Sequence, residues 1–155
     1  MTIPLASFRF EVSIMVENGS SHGLSNPLCS AAFAECSGLE ASMTPKTIEE
    51  GGNNVEQVHL VGPVTYSQLT LKRGMTQNLD LWRWFTAVTR LGSPTGARAD
   101  VEVKVLAADG QPALTFQLSR CLPVKIKGPG LVAKDAGLAI EELTIAYARF
   151  DVQAA

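Results

Sequence analysis

The chain has 155 residues, 46% hydrophobic and 18% charged, with a formal net charge of −2. One domain spanning 1–155 is expected, long enough to bury a core and too apolar to be disordered. The near-neutral total gives no electrostatic basis for specific nucleic-acid binding, and no apolar run is long enough for a membrane anchor. Met1-Thr2-Ile3-Pro4-Leu5 has neither the basic segment nor the apolar core of a signal peptide, so residence in the cytoplasm of the producing cell is expected. Cys29, Cys36 and Cys121 are odd in number and lack Cys-x-x-Cys, which favours buried free thiols over a disulfide framework.

Phe8, Phe10, Val12 and Ile14 alternate with Arg9, Glu11 and Ser13, the period of a half-buried strand. The Ser-, Gly- and Asn-rich stretch 17–26, which carries His22, reads as a loop. A second strand is expected over 28–39, with a bulge or bend where alternation fails at Cys36-Ser37-Gly38. A long polar loop follows over 40–61, because Gly51-Gly52 and Asn53-Asn54 are turn and breaker residues. Loops of that length in a compact domain are usually functional or disordered.

Alternation resumes over 65–72, with Leu69 and Leu71 on one face and Tyr66, Gln68, Thr70 and Lys72 on the other; Arg73-Gly74 ends the strand. Leu81, Trp84, Phe85 and Val88 fall at helical spacing, Asn78 is suited to cap, and Gly92 and Pro94 stop the pattern, which predicts a helix over 79–90. Trp84 lies on that stripe and Trp82 to one side of it, free to pack against a neighbour. Val101, Val103 and Val105 mark a strand, and Ala108-Asp109-Gly110 a hairpin turn. Leu114, Phe116 and Leu118 begin a strand that continues past a kink through Val124 and Ile126 to the break at Gly128-Pro129-Gly130. Leu143, Ile145 and Tyr147 form the last strand, and 151–155 should fray. About six strands and one helix without a βαβ repeat predict a mainly β, β-rich α+β fold. Its form is two packed antiparallel sheets or a flattened barrel with one flanking helix.

No P-loop or dinucleotide fingerprint surrounds Gly51-Gly52, and neither His22 nor His59 has zinc-ligand partners at working spacing. There is no Gly-x-Ser-x-Gly elbow, although catalytic triads assemble from distant positions and leave little trace in sequence. Glu49-Glu50 and Glu141-Glu142 are neighbours that a strand would point to opposite faces, so a solvated or interface role is expected of them. No catalytic residue, metal ligand or cofactor is expected.

An ordered series of short motifs spans nearly the whole chain: Glu35-Cys36-Ser37-Gly38-Leu39-Glu40, Glu50-Gly51-Gly52-Asn53-Asn54, His59, Leu71-Lys72-Arg73-Gly74, Leu81-x-x-Trp84, Pro123-Val124-Lys125, Gly128-Pro129 and Ile140-Glu141-Glu142-Leu143. In this order they resemble the tail-tube protein family of contractile phage tails and phage-tail-like contractile injection systems. The resemblance implies a structural protein whose hexameric rings stack into a hollow tube inside a contractile sheath, with baseplate and spike hub proteins at its end and cargo in the lumen.

On that reading the 40–61 loop is the inter-ring connector, and Glu49, Glu50, Gly51, Gly52, Asn53, Asn54, His59, Lys72 and Arg73 are interface candidates. Lys72 and Arg73 would form ion pairs across a subunit boundary. Gln68, Thr70, Thr115, Gln117, Glu142 and Thr144 are candidates for the lumen wall, and the helix should face away from it. A tube-initiator subunit at the baseplate fits the same pattern. A small monomeric β-barrel that binds a ligand or hydrolyses an ester is the alternative of another class.

Overall fold

Val101 and Val103 are buried while Asp100 is exposed, the burial pattern of a strand with one wet face. That strand is one of eleven, with one helix, in a computed structural model that describes residues 9–17, 28, 33–49, 51–52, 55–75, 77–90, 98–130 and 139–154. In chain order the elements are β1 (Phe10–Val16), β2 (Glu35–Ser37), β3 (Ala41–Met43), β4 (Lys46–Ile48), β5 (Val58–Leu60), β6 (Val64–Tyr66), β7 (Leu69–Gly74), α1 (Asp80–Arg90), β8 (Ala99–Leu106), β9 (Pro112–Lys127), β10 (Ile140–Ala146) and β11 (Arg149–Ala154).

Two antiparallel sheets share the 16-residue β9. Its first half pairs with β8 along one edge and β11 along the other, and β1 pairs with β8. Its second half pairs with β10, which carries β7 and then β2. Two irregularities bend β9 between the sheets. Opposite Asp100 the register shifts and Arg120 takes φ 55, the sole positive φ outside glycine among the described residues. Opposite the step from Thr144 to Ile145, Val124 is the extra residue. An extra residue on one strand bends it and raises its twist, which lets one strand serve two walls.

The walls close on one core. Ile14, Val101, Val103 and Leu118 meet Leu69, Leu71, Leu143 and Ile145, and α1 adds Leu81 and Trp84. Each such side chain contributes about 1.5–3 kcal/mol on burial. The helix begins one residue later than predicted: Leu79 C=O accepts from Arg83 N–H at 2.9 Å, and Asn78 Oδ1 accepts from Asp80 N–H at 2.9 Å. Asn78 thus caps from one position further out than a helix N-cap.

Four expectations change. The strand placed over 28–39 is regular only at β2, and Leu28 makes an isolated bridge to Ile14. The strand placed over 65–72 is two strands, β6 and β7, interrupted at Ser67-Gln68. The tail expected to fray, 151–155, instead continues β11 and pairs with β9 from Asp151 opposite Gln117 to Ala154 opposite Leu114. The 40–61 segment is not an irregular loop: β3 to β6 fold it into a two-stranded arm. Phe8, His22, Cys29 and Ala155 lie outside the described residues.

Candidate functional site

The arm is built from short antiparallel pairs. Ala41, Ser42 and Met43 pair with Tyr66, Thr65 and Val64, and Lys46, Thr47 and Ile48 with Leu60, His59 and Val58. Between them two residues, Thr44 and Pro45, face three, Val61, Gly62 and Pro63, so the arm carries a bulge. At 3.3 Å per residue the 41–48 strand alone runs roughly 25 Å. Ser42 Oγ lies 3.0 Å from Thr65 Oγ1, and Thr47 Oγ1 3.3 Å from His59 Nδ1. Every residue over 41–49 is exposed, including Met43 and Ile48, and Leu60, Val61 and Val64 are exposed on the returning strand. A lone hairpin is marginal in water, and clustered exposed apolar side chains mark a surface made to be covered. Gly51 and Gly52 form a turn at the tip and Glu49 is exposed beside it; Glu50, Asn53 and Asn54 lie outside the described residues.

Two glycines let the arm's backbones cross closely. A Cβ on Gly38 would stand 2.0 Å from the Gln68 carbonyl oxygen, and Gly38 has φ +98. A Cβ on Gly62 would stand 1.7 Å from the Thr44 carbonyl oxygen. Only a residue without Cβ fits either place. Gly38 is the bend that sequence alternation placed at Cys36-Ser37-Gly38, and it marks the arm's root.

An aromatic cluster holds that root. The Tyr66 ring centroid lies 5.8 Å from Tyr147 and 5.5 Å from Phe150, and Phe150 lies 6.1 Å from Phe116. The Tyr147 hydroxyl donates to the Gly38 carbonyl at 3.0 Å, and burial raises its pKa. Ring pairs at these separations add about 0.5–1.5 kcal/mol each beyond area burial. Sequence reasoning missed the cluster, although Phe150 and Val152 alternate with charged and amide residues up to and into the 151–155 stretch assigned to fraying.

Lys72 and Arg73 each find a carboxylate within the chain, and the burial of Arg73 removes it from the ion pair expected across a subunit boundary. Lys72 Nζ lies 3.6 Å from Glu35 Oε2. Arg73 is 1% exposed and its Nε donates to Oε1 of the equally buried Glu141. Arg73 also donates through Nη2 to the Asn78 carbonyl at 2.9 Å, and Trp82 Nε1 donates to Glu141 Oε2 at 2.8 Å. The group therefore ties β7, β10 and α1 together. Glu141 is not solvated as expected, and Trp82, its ring beside Gly128, packs within its own subunit.

The six lumen candidates do not share one surface. Thr70, Glu142 and Thr144 occupy the face of β7 and β10 opposite Leu71, Leu143 and α1. Thr144, 8% exposed, is buried on that face. Register sets Glu35, Lys72, Glu142 and Lys127 in one row across four strands, so charges alternate in sign; Thr70, Thr144 and Lys125 form the next row. Thr115 and Gln117 lie on the outer face of the other sheet, in register with Lys104 and Glu102. Gln68 is exposed at the arm root. Among the described residues no group of three or more His, Cys, Asp or Glu is placed to hold a metal, and no helix is long and apolar enough to cross a membrane.

A family profile, T4-like virus tail tube protein gp19, matches residues 6–151. Comparison with curated proteins finds no match. A chain in the anti-feeding prophage baseplate superposes with a TM-score of 0.85 at 29% identity, over 99% of this chain and 98% of that one. A chain in the extended sheath–tube complex of an extracellular contractile injection system superposes at 0.79 with 20% identity, over 98% and 93%. A type six secretion system protein shares the fold at 0.54 with 10% identity, over 94% and 84%. The mainly β fold of antiparallel sheets with a flanking helix is thus that of tail-tube proteins as a class. The chain belongs to the T4-like virus tail tube protein gp19 family and is a tail tube protein.

Proposed function

We propose that the protein is the inner-tube subunit of a contractile injection system or phage tail. Six copies close a ring, rings stack into a hollow conduit, a contractile sheath surrounds it, baseplate and spike hub proteins meet its end, and cargo travels in the lumen. The likeness to chains in baseplate and sheath–tube assemblies supports these partners. The role needs no catalytic group and no cofactor, and assembly takes place in the cytoplasm of the producing cell.

The observation that carries the reading is the arm: exposed, apolar in part, and fixed to the body at a glycine crossing and an aromatic clamp. It is the ring-to-ring connector, with Glu49, Gly51, Gly52 and His59 near its distal end. The lumen wall is the β7–β10 face carrying Thr70, Lys72, Glu142 and Thr144, because α1 occupies the other side of that sheet. Thr115 and Gln117 then face away from the lumen.

Negative-stain microscopy of the purified protein tests the reading. Rings and tubes are expected; uniformly small particles would instead favour the monomeric ligand-binding or hydrolytic barrel. Replacing 49–54 by a short Gly-Ser linker should leave rings and abolish long tubes. A second reading, the tube initiator at the baseplate, is favoured by the higher identity to the baseplate chain than to the sheath–tube chain, 29% against 20%. Copy number per particle separates the two: many rings' worth for the main subunit, one ring's worth for an initiator.

A further inference from the structure

The arm leaves the body at one end of β7, and a matching surface lies at the other. At the root end Leu69 pairs with Ile145, beside the Tyr147 clamp. At the far end Gly74 pairs with Ile140, and Met75 N–H donates to the Ala139 carbonyl at 2.8 Å. Leu79 follows, immediately before α1, and Arg73 holds the neighbouring Asn78 carbonyl. Met75, Leu79 and Ile140 are exposed large apolar residues gathered at this end. Cations stand beside them: the Arg83 side chain is 62% exposed on the first turns of α1, and Lys127 is exposed opposite Glu142. The distal half of the arm offers the complement, with Ile48 and Leu60 exposed and the Glu49 carboxylate exposed next to them.

We propose that the Met75–Leu79–Ile140 end receives the arm of a second copy of this chain in the adjoining ring, with Ile48 and Leu60 against the apolar residues and Glu49 toward Arg83 and Lys127. This rests on the stacked-ring reading and adds the surface on which the arm lands. Copies stacked in one orientation present the far end of one body to the arm-bearing end of the next. Such a head-to-tail contact uses two different patches and continues indefinitely, whereas a two-fold contact would stop at a pair. Opposite charge at the rim sets register and suppresses wrong partners more than it adds affinity.

Photo-crosslinking in assembled tubes tests the landing site directly. With Ile48→p-benzoylphenylalanine, mass spectrometry of inter-subunit adducts should place them at 75–79 or 139–140. Adducts on the β8–β9 outer face, or at Thr70, Lys72 or Thr144 on the β7–β10 face, would overturn the docking while leaving the tube reading intact. A second variant, Leu79→Glu, alters an exposed side chain and should retain rings while losing tubes; tubes of parental length would overturn the docking. An unsubstituted protein that makes no tubes at all would overturn the stacked-ring reading, and the docking with it.

Discussion

Arg73 and Glu141 face each other in register across β7 and β10, each 1% exposed, and form an ion pair sealed under α1. Both extend the buried parity of their strands, Leu69-x-Leu71-x-Arg73 and Glu141-x-Leu143-x-Ile145. Two charges taken from water gain little net stability over a well-packed apolar pair, but breaking one partner strands the other. Glu141→Gln should destabilise the protein by about 3–5 kcal/mol. The double variant Arg73→Met with Glu141→Leu should recover most of it, as read by urea midpoints across a double-mutant cycle.

Trp84 is fully buried and is the largest side chain of the core cluster, to which both sheets contribute. Trp84→Ala should cost about 3–5 kcal/mol. A melting temperature equal to the parent's would remove the Trp84 ring from the core.

Gly38 and Gly52 both have positive φ but differ in surroundings. Nothing lies within 4 Å of a Cβ on Gly52, so Gly52→Ala should cost only the backbone term, about 1 kcal/mol. Gly38→Ala adds a backbone collision with Gln68 and should cost about 3 kcal/mol or displace the arm. Equal thermal shifts in the two variants would contradict the crossing at the arm root.

Tyr147→Phe keeps the ring cluster and removes only the hydroxyl that Gly38 accepts from. The expected loss is about 0.5–1.5 kcal/mol. It should appear as faster amide exchange over 41–48 and 58–66, with β8 and the first half of β9 unchanged.

Burial pushes the Cys121 thiol from 9.0 to about 12, against an opposing hydrogen bond with the Val101 backbone, and pushes Cys36 to about 11. The folded state therefore holds these protons more tightly than the unfolded chain. Their stabilising contribution is complete below pH 9.0 and is lost as pH rises toward about 12. Cys121→Ala should lower stability at neutral pH yet flatten its decline, seen as a smaller drop in urea midpoint between about pH 8 and pH 10.5. An unchanged slope would place the alkaline sensitivity elsewhere.

Where one period persists, the sequence was sufficient. Val101-x-Val103-x-Val105 and Leu114-x-Phe116-x-Leu118 marked β8 and β9, and Leu81, Trp84 and Val88 marked α1. The arm was harder to read because Pro45, Gly62 and Pro63 cut it into strands of three residues, too short for alternation to show, and both its faces are exposed. The same parity that identified Leu69 and Leu71 as buried already pointed at Arg73; charge alone suggested water. Individual wall residues were not legible, since which face of a sheet meets a neighbour depends on contacts between copies.

The bent β9 has a mechanical consequence. It is the common seam of both walls, so neither wall can peel away without stripping hydrogen bonds from a strand still held by the other. Pulling the described walls apart would load the rungs along that seam together. The slender, two-stranded extension beyond Gly38 has no such second wall behind it.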